Sequence, residues 1–80
     1  MALFRLKISL PDQPGSLGAI ASAIGAAGCD IRSLSVLEAK DGIGYDEFLV
    51  AVPGTDSTDL VTVLSSMGGV TVISIEAITQ

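Results

Sequence analysis

Within one six-residue run, Asp12-Gln13-Pro14-Gly15-Ser16-Leu17 sets an acid, a rigid residue and a residue without a side chain side by side. That is the composition of a turn able to hold a small molecule. Pro14 fixes its own φ and biases Gln13 toward an extended backbone, while Gly15 accepts any φ and lets a ligand approach the main chain closely. A helix beginning at Ser16 adds amides that have no intrahelical acceptor and point toward the same space. An amino-acid zwitterion needs acceptors for its ammonium and donors for its carboxylate, and Asp12 or Asp30 beside those amides would meet both demands. Each acid also has a purely structural role open to it: Asp12 can close the turn through its own side chain, and Asp30 can cap the start of a strand.

The rest of the chain offers little other chemistry. There is no histidine and no asparagine, so the available bases are carboxylates and two lysines, Lys7 and Lys40, and no Ser-His, Cys-His or Lys-based nucleophile can be assembled. No catalytic residue is expected, and the chain reads as a non-enzyme. Asp41, Asp46 and Glu47 match no oxygen-ligand loop, and acids beside a hairpin turn are usually solvated, so neither a metal nor any other cofactor is expected. Cys29, between Gly28 and Asp30, reads as a small core residue with nothing nearby to activate its thiol.

The elements that would position the turn follow from periodicity. Phe4, Leu6, Ile8 and Leu10 alternate with Arg5, Lys7 and Ser9, the pattern of a strand with one buried face. Leu17, Ile20, Ile24 and Ala27 then fall at helical spacing and predict a helix over Ser16 to Ala27, with Gly28 as its left-handed stop. Cys29 to Leu37 is a second strand, Lys40-Asp41-Gly42 a reversal, and Tyr45 to Val52 a third strand, so the middle of the chain is a hairpin. Pro53-Gly54 ends it. Thr55-Asp56-Ser57 offers capping oxygens for a second helix with Leu60, Val63, Leu64 and Met67 inward, Gly68-Gly69 stops that helix, and Val70 to Ile78 is the fourth strand. The order βαββαβ, with two halves of similar plan, predicts an α+β ferredoxin-like sandwich: a four-stranded antiparallel sheet with both helices on one face.

Composition limits the partners. Eighty residues make a single domain, 1–80, that can bury only about 60–65% of its unfolded surface, yet 49% of the residues are hydrophobic. The excess points to a homo-oligomer, a dimer or larger, or to attachment to a larger polypeptide. From Gln13 through Cys29 no residue is charged, and Gly18, Ala19, Ser22, Gly25 and Ala26 would form an outer helix face that another backbone can approach. The net charge of −5, with only Arg5, Lys7, Arg32 and Lys40 as cations, excludes nucleic acid as a partner. With a single cysteine, no N-terminal apolar h-region and no long apolar span, neither a membrane nor an oxidising compartment is expected, and the chain reads as cytoplasmic.

Fold alone does not assign function, since βαββαβ modules serve RNA binders, metal carriers, acyl-phosphate hydrolases and regulators. RNA binding needs basic residues and stacking aromatics on the sheet, and a metal carrier needs Cys-x-x-Cys where this chain has Asp-Gln-Pro-Gly. The run Leu10-Pro11-Asp12-Gln13-Pro14-Gly15-Ser16-Leu17, followed by Ile20, Ile24, Gly28 and Cys29-Asp30-Ile31, resembles the ACT domain, whose turn is an acid or amide, x, Pro-Gly, x, Leu and whose helix-to-strand junction is Gly, x, Asn or Asp, Ile. The resemblance covers nearly the whole chain. It implies a regulatory module that binds a free amino acid where the turn of one domain faces the second strand of another, and that controls an attached or separate effector enzyme. The residues it implies at that site are Leu10, Asp12, Gln13, Pro14, Gly15, Ser16 and Leu17 from the turn, with Asp30 and Ile31 from the second strand. Some amino-acid-binding members carry a histidine at the end of the first strand, where this chain has Leu10, a departure that weakens a carry-over of their ligand specificity, serine recognition above all. A ligand-free assembly domain is the alternative, and a small enzyme of the same fold a more distant one.

Overall fold

The alternating residues of the first strand set the architecture. In a computed structural model, which describes residues 1–79, β1 (Ala2–Pro11) buries Phe4, Leu6, Ile8 and Leu10 on one face and turns Arg5, Lys7 and Ser9 to the other. It is followed by α1 (Ser16–Ala26), β2 (Asp30–Lys40), β3 (Ile43–Val52), α2 (Thr58–Ser65) and β4 (Thr71–Ile78). The four strands form one antiparallel sheet in the order β2-β3-β1-β4. β3 therefore lies between β1 and β2, and β1 between β3 and β4, so the two halves of the chain interleave as the sequence predicts.

Both helices cover the same face. Ile20 and Ile24 of α1 and Leu60 and Leu64 of α2 join Phe4, Leu6, Ile8, Leu10, Phe48, Val50 and Val52 in a single core. α1 ends one residue earlier than expected, at Ala26, and its termination is a Schellman motif: the Cys29 amide donates to Ile24 O at 3.1 Å and the Gly28 amide to Gly25 O at 3.0 Å, with Gly28 at φ 80°. Cys29 packs half-buried against the core, and burial raises the pKa of its thiol. α2 begins where Asp56 accepts hydrogen bonds from the Thr58 amide at 2.9 Å and the Thr58 hydroxyl at 2.6 Å. Val63, expected in the inward stripe, is instead exposed, because this eight-residue helix packs through the i, i+4 pair Leu60 and Leu64.

One edge of the sheet stays largely uncovered. No residue of β2 is fully buried, and Leu34, Val36 and Leu37 are 41%, 69% and 48% exposed. Bulges at Arg32 and Leu37 interrupt its pairing with β3. The outward residues of α1, Gly18, Ala19, Ser22, Gly25 and Ala26, are all exposed as the sequence predicts.

Candidate functional site

The turn after β1 is built by backbone alone. Ser16 N donates to Gln13 O at 3.2 Å, and Gly15 stands at φ 88°, ψ −17°, so Gln13 to Ser16 is a type II β-turn with Pro14 and Gly15 in the positions that chemistry favours. Gln13 N also donates to Pro11 O at 3.0 Å, and Asp12 N donates to Gly42 O at 2.9 Å, which ties the turn to the β2–β3 hairpin. That hairpin reverses through Asp41 and Gly42, at φ 55° and 80°.

The Asp12 side chain takes no part in closing the turn. Gly15, as the residue before α1, brings no side-chain cap, and the Ser16 amide is already bonded, so the Gly15, Leu17 and Gly18 amides are left without an acceptor among the described residues. A Cβ built on Gly15 would meet nothing within 4 Å, so the space outside the turn is open.

Two hollows flank this turn. The first, about 140 Å³, lies between the turn and the hairpin: Leu10, Pro11, Asp12 and Gln13 line one side, Ser16 and Leu17 the helix start, and Val36, Glu38, Ala39, Gly44 and Asp46 the other side. The second, about 360 Å³, lies behind the turn against the end of α2, lined by Pro11, Gln13, Pro14, Gly15, Ser16, Ala19, Met67, Gly68 and Val70, none of them charged. Of the residues expected at the site, Leu10, Asp12, Gln13, Ser16 and Leu17 thus share the first hollow, while Pro14 and Gly15 face the second.

Asp30 and Ile31 line neither. Asp30 pairs with Ala51 and Pro11 with Ile43 across β3, so the two ends of the site lie roughly 25 Å apart along the sheet at about 3.3 Å per residue. Asp30 is exposed and holds Arg32 at 2.9 Å.

The residue that sequence reasoning missed is Asp46. It was expected to be a solvated acid beside the hairpin, but it stands opposite Ile8 on the helix side of β3, between Gly44 and Phe48, and is only 5% exposed. Solvation fails because side chains alternate along a strand: Gly44, Asp46, Phe48 and Val50 all face the helices, and that spacing was the available signal. Among the described residues no group donates a hydrogen bond to its carboxylate and no cation pairs with it; its oxygens keep a sliver of accessibility, and that opening is the first hollow. Burial pushes the Asp46 carboxyl above its usual range, and the negative charge of Asp12 adds to the shift. The cations are elsewhere: Arg5 sits on the opposite face of the sheet with Glu76 at 2.9 Å and Glu47 at 3.8 Å, and neither Lys nor Arg lines the hollow.

This combination of turn, helix start and sheet order can be set against known proteins. The sequence model of the ACT domain matches residues 4–65. The chain belongs to the ACT domain family. ACT domains are generally regulatory modules that bind small ligands. No protein of curated function matches the chain. Among solved structures it is similar to the ACT domain of GTP pyrophosphokinase from Chlorobium tepidum, at 28% identity and TM-score 0.67, covering 98% of this chain and 86% of that one. It is similar to an ACT domain protein from Streptococcus pneumoniae at 20% identity and TM-score 0.70, covering 95% and 89%.

An unknown protein from Galdieria sulphuraria shares the fold at TM-score 0.83 and 15% identity, and there the match covers 99% of this ACT domain but 46% of the other chain. This ACT domain therefore spans about half the length of that protein. Among the described residues no helix is long and apolar enough to cross a membrane.

Proposed function

We propose that this ACT domain is a cytoplasmic, non-catalytic regulatory module that dimerises, binds a small free amino acid at the Asp12–Leu17 turn, and controls an attached or separate effector. The observation that carries the reading is the hollow beneath the turn, which Asp12 and Asp46 line together with Ser16 and Leu17 at the start of α1. The Leu17 amide, which has no acceptor among the described residues, offers a donor for a carboxylate, and the two acids offer acceptors for an ammonium.

The free edge of β2 supports the dimer. Antiparallel pairing of two β2 strands about Ser35 would extend the sheet, satisfy the edge amides and cover Leu34, Val36 and Leu37. It would also set Asp30 of one copy beside Lys40 of the other, at the end of the sheet that carries the turn, so that the two halves of the expected site would meet. The same apolar edge supports a second reading, an assembly domain that pairs without a ligand.

A thermal-shift screen over the common amino acids separates the two, because a ligand that binds only the folded state raises its stability. A concentration-dependent rise in Tm with at least one amino acid is the expected result. A flat response to all of them leaves the assembly domain.

A further inference from the structure

A carboxylate that is buried, unpaired and open only toward a hollow is not explained by folding, since replacing it with an apolar residue of similar size would remove a desolvation penalty. Asp46 is such a group, on β3 and outside the turn that carries the expected site. Two features of its surroundings point to the charge of its missing partner, and a third to the room for it. Asp12 and Glu38 line the same hollow, no Lys or Arg does, and Gly44 beside it leaves a side-chain volume vacant on that face of β3.

We infer that Asp46 is the cation anchor of this pocket: it receives the ammonium group of a small amine-bearing ligand from inside, beneath Asp12, and so selects neutral or basic amino acids against acidic ones. The inference rests on the reading of the turn as a ligand site and adds the class of ligand and the residue that discriminates. An ammonium is small enough for a hollow of about 140 Å³ and has three donors, enough for Asp46 and Asp12 together. An acidic ligand would bring a second negative charge into a space already lined by three carboxylates, and like charges in a poorly solvated pocket repel strongly.

The test uses methylammonium chloride, which carries the charge without the rest of an amino acid. Titration at pH 7 and constant ionic strength is followed by the ¹³C resonance of the Asp46 carboxyl in the parent and by the amide of Leu17 in the parent and in two variants. Asp46→Asn keeps the side-chain shape and removes the charge. Gly44→Ala narrows the hollow, with its new Cβ in ordinary contact with Leu10 at 3.7 Å.

A saturable shift at Asp46 is expected, with sodium chloride producing none. Affinity should fall about ten- to a hundredfold in Asp46→Asn, the range set by a charge-assisted hydrogen bond, and by a smaller factor in Gly44→Ala. The amide spectrum of each variant reports that it is folded. Equal affinity in parent and Asp46→Asn, no shift in the parent, or a response to magnesium or calcium chloride but not to methylammonium overturns the inference. If methylammonium shifts Asp46 while no amino acid binds, the cation site stands and the amino-acid reading falls. If an amino acid binds the parent and Asp46→Asn equally, the amino-acid reading stands and Asp46 is removed from it.

Discussion

Replacing Gly69 by Ala tests whether the backbone beneath the turn is held as tightly as the structure shows. Gly69 precedes β4 at φ 77°, and a Cβ built there would stand 2.8 Å from Pro11 Cγ and 3.2 Å from Pro11 Cδ. Pro11 is the last residue of β1 and lines both hollows, and its ring has no rotamer by which to retreat. Two penalties therefore add. The left-handed conformation costs a residue with a Cβ about 1–2 kcal/mol, and forcing a methyl into a rigid neighbour costs about 1–3 kcal/mol more. The sum, about 2–5 kcal/mol, is a large part of the stability of a small domain and corresponds to a fall in Tm of roughly 10–30 °C.

Gly42→Ala is the matched control, because Gly42 has a similar φ of 80° but nothing within 4 Å of its Cβ. It should lose only the conformational part, about 1–2 kcal/mol. Urea unfolding of both variants, followed by far-ultraviolet circular dichroism, measures the difference. A Gly69→Ala variant no less stable than Gly42→Ala would refute the close contact between the start of β4 and the turn.

Asp46→Asn should stabilise the unliganded protein at neutral pH, raising Tm by a few degrees, and the gain should vanish in acid. The sign follows from linkage: the folded carboxyl keeps its proton to higher pH than the unfolded one, so its contribution is fully present below the ordinary carboxylate range and is lost as pH rises through the raised value, with Asp12 and Glu38 as the charges facing it. Melting curves of both proteins across pH 3 to 8 would contradict this if the gap widened toward acid. Asp12→Ala should abolish the thermal shift given by an amino acid while leaving the free protein folded, a loss of about 1.5–3 kcal/mol in binding, and Asp30→Ala should act the same way more weakly; calorimetric titration showing unchanged affinity in both would leave a site made of backbone groups. Gly25→Ala, at an exposed helical position where a Cβ meets nothing within 4 Å, should raise stability by about 1 kcal/mol in urea, and a loss would mean that the outer face of α1 is covered. Sedimentation at micromolar concentration should give a dimer or larger, and an 8.1 kDa monomer at every accessible concentration would remove the β2 pairing.

Much of the architecture could be read from local signals. The alternation of Phe4, Leu6, Ile8 and Leu10 fixes which face of β1 is buried, the Pro14-Gly15 pair specifies a type II turn, and Gly28 marks a Schellman stop. What escaped depends on neighbours distant in sequence. The length of β2 left uncovered follows from its place at the edge of the β2-β3-β1-β4 order, which no periodicity within β2 encodes. Closeness to the hairpin turn predicts a solvated Asp46, yet its burial is decided by pairing with Ile8 and by the start of α1 lying over that pair of strands. Asp12 and Asp30 are expected on facing domains, and within one copy the sheet holds them roughly 25 Å apart, so only a partner could bring them together.

The most direct measurement is amide-resolved NMR of the uniformly ¹⁵N-labelled protein, titrated with the amino acid that gives the largest thermal shift. The account predicts saturable changes centred on Asp12, Gln13, Leu17 and Asp46, around the hollow between the turn and the hairpin. Changes confined to Met67, Gly68 and Val70 behind the turn, or to the edge of β2 alone, would contradict it, as would a spectrum that no amino acid alters.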